Sequence, residues 1–303
     1  MHNKFKGTGV AIVTPFHNYG TIDFNSFSRV IEHVVTGGVD YVVTMGTTGE
    51  SATLSKDEKQ AVISFVVETV NKRVPVVVGM GGNNTQDIIN TIKVTDFEGV
   101  DGILSVCPYY NKPQQKGIYS HFKAISGACP LPVILYNVPG RTNCNMTAET
   151  SLKIAHDFKN IIGIKEASGD LNQIMKIIRD RPDDFLVISG DDAITLPLLA
   201  LGADGVISVV ANAFPHEFSS MVSYGMKGKI KKAKEIHYPL LEVIDNLFAD
   251  GSPAGIKAAL EILGLSTNNL RLPLVRVNKA VYNSLAKSME AFQNSAGQAA
   301  AQK

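Results

Sequence analysis

The chain has 303 residues, 45% of them hydrophobic, which is enough apolar side chain to fill a large buried core. Its 29 basic and 28 acidic residues leave a net charge of +1. They are scattered along the chain, which argues against the one-signed patch that a nucleic acid or a membrane surface requires, so neither is expected as a partner.

No run of about 18 apolar residues occurs, so no transmembrane helix is expected. The N-terminal Met-His-Asn-Lys-Phe-Lys-Gly lacks the apolar stretch of a signal peptide. The three cysteines, Cys107, Cys129 and Cys144, are odd in number and fit no metal knuckle. A soluble protein of a reducing, cytoplasmic compartment is the expectation.

Taken in chain order, apolar β-branched runs recur at spacings of roughly 25 to 35 residues, the rhythm of repeated βα units. Strands are expected near Thr8–Phe16, Val39–Gly46, Val74–Gly81, Gly99–Pro108, Leu131–Pro139, Ile161–Ser168, Phe185–Asp191 and Asp204–Ala211. Runs such as Pro75-Val76-Val77-Val78 and Ile161-Ile162-Gly163-Ile164 are apolar on both faces, as suits buried parallel strands. Helical patterns lie between them. Asp23 caps a segment to Thr36. Ser55, with Glu58 three residues on, forms a capping box for a helix to Val70. Thr85 is read as the cap of a helix to Phe97, and Asp170 as the cap of Leu171–Arg179.

Strand then helix, repeated, points to a closed (β/α)8 TIM barrel, with a doubly wound open sheet as the alternative. Beyond the last strand, Phe214–Lys303 is too long for one helix. Met226–Ala249, Ser252–Leu263 and Arg276–Gln293 read as a C-terminal helical appendage, broken by Gly251, Pro253, Gly264 and Pro273. Residues 1–225 are then the catalytic barrel and 226–303 the helical region. The tail from Ser295 to Lys303 is expected to fray.

In such a barrel the site lies at the C-terminal ends of the strands. Gly46-Thr47-Thr48-Gly49-Glu50 follows the second strand, where two hydroxyls and backbone N–H groups suit a small carboxylate; a turn that caps the next helix is the other reading. Tyr109 and Tyr110 follow the fourth strand and Tyr136 ends the fifth, placing phenols where a proton relay needs them or where they merely pack. Arg141 follows Tyr136-Asn137-Val138-Pro139-Gly140; its fork suits a carboxylate, or a surface ion pair. Lys165 ends an apolar strand. Burial disfavours the ammonium and leaves the neutral amine that attacks carbonyls, unless Glu166 or Asp191 pairs with it. Asp191-Asp192 reads as helix capping, not as a metal ligand pair. The seven histidines form no i,i+4 pair and no Gly-x-Gly-x-x-Gly is present, so neither a zinc site nor a dinucleotide cofactor is expected.

Gly46–Glu50, Tyr109-Tyr110-Asn111-Lys112-Pro113, Tyr136–Thr142 and Gly163-Ile164-Lys165-Glu166-Ala167, in this order, resemble the dihydrodipicolinate synthase / N-acetylneuraminate lyase superfamily. The resemblance runs from about Gly7 through the final helices. It implies a cofactor-free enzyme that joins pyruvate to L-aspartate 4-semialdehyde through a Schiff base on Lys165. Tyr136 would transfer protons beside the imine, and Thr47 and Tyr110 would complete the relay, with Tyr110 reaching in from a neighbouring subunit. Thr48 would hold the pyruvate carboxylate, Arg141 the semialdehyde's, and Gly190 and Ile207 would line the pocket. It also implies a homo-oligomer, a tetramer of two tight dimers.

Arg141 and Thr47 fall on the synthase side, since sialate lyases of the superfamily usually lack the arginine and often carry serine for that threonine. Two readings stand beside it: an aldolase for a sugar-derived 2-keto acid, and a non-catalytic keto-acid sensor. Lys56 and Lys59 stand among the positions that bind lysine in feedback-sensitive relatives. Their charge implies weak or absent lysine inhibition.

Overall fold

Short β-branched runs with apolar side chains on both faces dictate strands that are covered on both sides, and that is the arrangement found. The computed structural model describes residues 3–301, with the side chains of residues 3–295. Eight strands close a parallel barrel in sequence order: β1 (Gly7–Ala11), β2 (Tyr41–Thr44), β3 (Val76–Gly79), β4 (Gly102–Val106), β5 (Val133–Asn137), β6 (Ile161–Glu166), β7 (Leu186–Ser189) and β8 (Gly205–Ser208). β1 pairs with β8, with Gly7 opposite Gly205, which completes the ring and rules out the open sheet. Each strand is shorter than its apolar run, because the last residues of the run leave the ladder to build the barrel mouth.

The helices are α1 (Phe24–Thr36), α2 (Lys56–Val70), α3 (Thr85–Val94), α4 (Gln115–Ala128), the single turn α5 (Pro139–Thr142), α6 (Ala148–Asp157), α7 (Leu171–Asp180), α8 (Thr195–Ala200), α9 (Pro215–Met226), α10 (Ile230–Phe248), α11 (Ala254–Ile262) and α12 (Lys279–Ala301). Asp23 accepts from Ser26 N–H, and Asp170 from Gln173 N–H. Ser55 and Glu58 close the capping box reciprocally. The cap of α3 is Asn84, not Thr85: the Asn84 side chain accepts from the Gln86 and Asp87 N–H groups, while the Thr85 hydroxyl is engaged by His121 Nδ1 at 2.8 Å.

The C-terminal segment also departs from its sequence pattern. The run expected as Met226–Ala249 is the end of one helix and the whole of another. Pro215 starts α9, which packs on β1 and β8 as the last barrel helix. Lys227–Lys229 then turns the chain, with Gly228 in the left-handed region at φ +68°. Helix α12 continues beyond Gln293 to Ala301; the expected fraying of the Ser295–Lys303 tail falls on residues largely outside the described side chains.

Two apolar clusters share the burial. The outer one lies between strands and helices, and it includes Leu240, Val243, Leu247, Leu260, Leu285 and Met289 of the C-terminal helices. The inner one fills the barrel with Phe5, Tyr41, Val77, Leu104, Ile134, Ile162, Leu186, Ile188 and Ile207. This is the inward half of the strand alternation. Gly9 makes room for the Tyr41 ring, which lies 2.3 Å from where a Cβ would stand. The lower barrel is therefore packed solid, with the Tyr41 hydroxyl directed at Val206 O, and Tyr136 and Lys165 enter nearer the C-terminal ends of the strands.

Among the described residues no helix is long and apolar enough to cross a membrane.

Candidate active site

Lys165 is the second-last residue of β6, opposite Tyr136 on β5 and Ile188 on β7. Those neighbours point into the barrel, and the lysine does too. It is 6% exposed, and its Nζ stands 4.4 Å from the Tyr136 ring centroid, over the electron-rich face. Among the described residues no carboxylate lies within ion-pair distance of it.

Neither carboxylate considered from sequence is its partner. Glu166, one residue on, turns to the outer face by strand alternation. There it accepts from Asn137 Nδ2 at 3.1 and 3.2 Å, Ser168 N–H at 2.9 Å and Gln173 Nε2 at 3.1 Å. Burial pushes the Glu166 carboxyl up, and those hydrogen bonds oppose the shift. The network ties the ends of β5 and β6 to the start of α7. Through Asn145 and Met146, both bonded to Asn137, it also anchors the far end of the segment bearing Arg141. Asp191 accepts from Ala193 N–H, and buried Asp192 accepts from the Val209 and Val210 N–H groups at the short turn after β8. Burial drives the Asp192 carboxyl up to about 6, against those hydrogen bonds.

Gly190, after β7, borders the lysine stem directly. A Cβ there would lie 3.0 Å from Lys165 Cε and 2.7 Å from Ala167 Cβ, so the missing side chain is what leaves space beside the amine. Ile207 of β8 belongs to the same inner cluster as Tyr136. The Gly46–Glu50 segment leaves β2 at this end of the barrel. Thr48 is buried and Thr47 exposed. The segment folds on itself through Gly49 N–H to Gly46 O and Glu50 N–H to Thr47 O, both 3.1 Å, and the Thr14 hydroxyl donates to Gly49 O at 2.8 Å.

Arg141, in the turn α5, is exposed, and the one hydrogen bond of its side chain among the described residues is a long one, 3.4 Å, from Nη2 to Ser252 O. Tyr110 lies apart from the others. It is 88% exposed with φ +76°, and its phenol makes no hydrogen bond within the described chain. Lys165, Tyr136, Gly190 and Ile207 are thus brought together, the threonine segment stands at the same end of the barrel, and Tyr110 faces outward.

One residue that the sequence pattern does not single out stands close to this site. Lys257 of α11, fully buried, pairs with Glu50 at the end of the threonine segment. An apolar helix with one lysine gives no local clue to a partner 207 residues away.

Chemically, the arrangement offers a buried primary amine with no counter-ion among the described residues, set against a phenol-bearing ring. That is the environment in which a lysine adds to a carbonyl.

The chain matches the family model described as the dihydrodipicolinate synthetase family over residues 4–292. It is 53% identical over 281 residues to the 4-hydroxy-tetrahydrodipicolinate synthase of Flavobacterium psychrophilum, covering 93% of this chain and 96% of that one. Among solved structures, the dihydrodipicolinate synthase of Thermotoga maritima superposes with a TM-score of 0.93 at 40% identity, covering 96% of this chain and 99% of that one. The chloride-inhibited synthase of Acinetobacter baumannii, solved with pyruvate, gives 0.92 at 37% identity, covering 95% and 99%. With a closed barrel, a buried unpaired lysine at the end of β6 and this extent of identity, the chain belongs to the dihydrodipicolinate synthetase family.

Proposed function

We propose that the chain catalyses the reaction of its 4-hydroxy-tetrahydrodipicolinate synthase relatives, a Schiff-base lyase reaction of lysine and diaminopimelate biosynthesis, with pyruvate and L-aspartate 4-semialdehyde as substrates. The observation that carries the residue assignment is Lys165: buried, without a carboxylate partner, and 4.4 Å from the Tyr136 ring.

In this reading the neutral Lys165 amine adds to the pyruvate carbonyl carbon. Loss of water leaves an imine, which serves as an electron sink. A methyl proton departs and the enamine forms; its carbon attacks the aldehyde carbon of the semialdehyde, whose oxygen takes up a proton. The semialdehyde's amine then closes the ring onto the imine carbon and releases Lys165. Tyr136 stands beside the amine and moves the protons, with Thr47 and Tyr110 continuing the relay. Thr48 holds the pyruvate carboxylate and Arg141 that of the semialdehyde. Gly190 leaves room for the imine and Ile207 floors the pocket.

A homo-oligomer, a tetramer of two tight dimers, is proposed with it. The outward Tyr110 supports this, because an exposed phenol without a partner in its own described chain is free to reach a neighbouring copy's site. Three unpaired thiols support a cytoplasmic location. Lys56 and Lys59 support weak inhibition by lysine.

The test is a steady-state assay with both substrates, product being followed through the reductase that consumes it. Turnover of about 1–1000 per second is expected. Absence of turnover with an intact borohydride-trapped pyruvate adduct would retain the Schiff base and reject the semialdehyde.

A further inference from the structure

We infer that Glu50 and Lys257 form a positioning clamp, a buried ion pair by which the C-terminal helical region holds the Gly46–Glu50 segment, and with it Thr47 and Thr48, against the barrel mouth. The inference rests on the roles proposed above for the two threonines.

The pair is fully buried, with side-chain exposures of 1% for Lys257 and 0% for Glu50. Each ion is further saturated. Lys257 Nζ also donates to Asn269 O at 2.9 Å, and the second Glu50 oxygen accepts from Arg271 N–H at 3.0 Å. The Phe16 ring meets two cations, with Lys257 Nζ 4.2 Å and the Arg271 guanidinium 4.6 Å from its centroid. Arg271 extends the clamp by donating to Gly20 O, Thr53 O and both oxygens of Glu58. Through Lys257 and Arg271, the loops after β1 and β2, the start of α2, α11 and residues 269–271 are thus tied together around the Glu50 carboxylate.

That carboxylate is attached to a backbone that needs holding. Glu50 sits at φ +52° and Met45 at φ +59°, so the threonine segment begins and ends in left-handed backbone at non-glycine residues. Such positions persist only where the surroundings over-determine them. A solvated turn does not require a buried carboxylate, and a lysine placed only to bind α11 to the barrel does not require its partner two residues from Thr48. The same C-terminal region also reaches the other side of the mouth, where Ser252 O accepts from Arg141. A displacement of the threonines by about 1 Å is enough to cost about a hundredfold in rate.

The test compares the parent with Glu50→Gln/Lys257→Met, which removes both charges together, and with Glu50→Gln alone, which is nearly isosteric, keeps an oxygen that can accept from Lys257 Nζ, and gives an independent reading of the same segment. Pyruvate at saturation is trapped on Lys165 with borohydride to count competent sites, and turnover is expressed per trapped site. Adduct formation at saturating pyruvate rests on Lys165, which lies outside the clamp, and should persist. Turnover per site should fall about a hundredfold in the double variant, with a several-fold rise in KM for pyruvate, and less in Glu50→Gln. A merely structural pair would lower the folding midpoint and leave turnover per competent site alone; turnover within about twofold of the parent in both variants overturns the clamp. Failure of the parent itself to trap pyruvate would overturn the Lys165 assignment instead.

Discussion

Two lysines are buried among the described residues, in opposite surroundings. Lys257 has a carboxylate, a backbone carbonyl and an aromatic face. Burial pulls its ammonium down, Glu50 works against that loss, and the result is about 8. Lys165 has the aromatic face and no carboxylate within reach among the described residues. A buried cation is tolerated when every donor is satisfied, because the attraction then offsets desolvation. A buried amine left unpaired amid apolar side chains has no such structural account, and reactivity is the account that remains. The difference between the mouth and its clamp is thus a difference in which ionisable groups have been given partners.

Removing Lys165 should have the largest effect. Lys165→Ala should lose the borohydride-reducible pyruvate adduct and at least about a thousandfold in kcat, seen by mass spectrometry and steady-state assay. A surviving adduct would put the nucleophile elsewhere and end the contrast with Lys257. Next comes the phenol: Tyr136→Phe keeps the ring under Lys165 but removes the proton donor. Its kcat should drop by about 10²–10⁴-fold while adduct trapping persists; an unchanged kcat would take Tyr136 out of the relay.

The contrast is read from the other side by Lys257→Met. Glu50 is then a buried charge without its partner, so unfolding free energy should fall by about 3–5 kcal/mol in denaturant melts. Glu50→Gln/Lys257→Met should recover most of that. Equal losses in the single and double variants would show that the pair is not an ion pair in any energetic sense.

The smallest effect sharpens the rule with a third buried base. His121 lies on α4, and its Nε2 has no partner. Desolvation holds its pKa down to about 4 from the ordinary 6.5. The unfolded chain therefore takes up a proton near pH 6.5 while the folded chain resists until about 4. Stability is full above about 6.5 and falls as pH drops through that window, by about 3 kcal/mol in all. Urea midpoints measured between pH 7.5 and 4 should decline less in His121→Asn; parallel declines would remove His121 from the cause.

Much of this was legible in the sequence. Val76-Val77-Val78 and Ile161–Ile164 announce buried parallel strands, because apolar side chains on both faces leave no wet side. Asp23, Ser55 and Asp170 mark helix starts by local hydrogen bonds that need no tertiary help. Lys165 stands out because a lysine at the end of such a strand is anomalous in one dimension. The break at Gly228, which separates α9 from α10, was less visible, since apolar periodicity runs through it and only packing on β1 and β8 separates the two helices. Asn84 displaced Thr85 as cap because His121, 36 residues away, takes the threonine hydroxyl.

By itself, then, the sequence determined the strand and helix rhythm, pointed to a barrel over an open sheet, and marked Lys165 and Tyr136 as candidates for chemistry, all of which follow from neighbours along the chain and the alternation of strand faces. Tertiary structure alone decided that Lys165 is unpaired, that Glu166 turns away from it, that Gly190 leaves the space at its side, and that Lys257 meets Glu50. The physical reason is one of range. Secondary structure and facing are set by local sterics and periodicity, whereas whether a buried charge has a partner depends on atoms that only the closed barrel brings within a few ångströms.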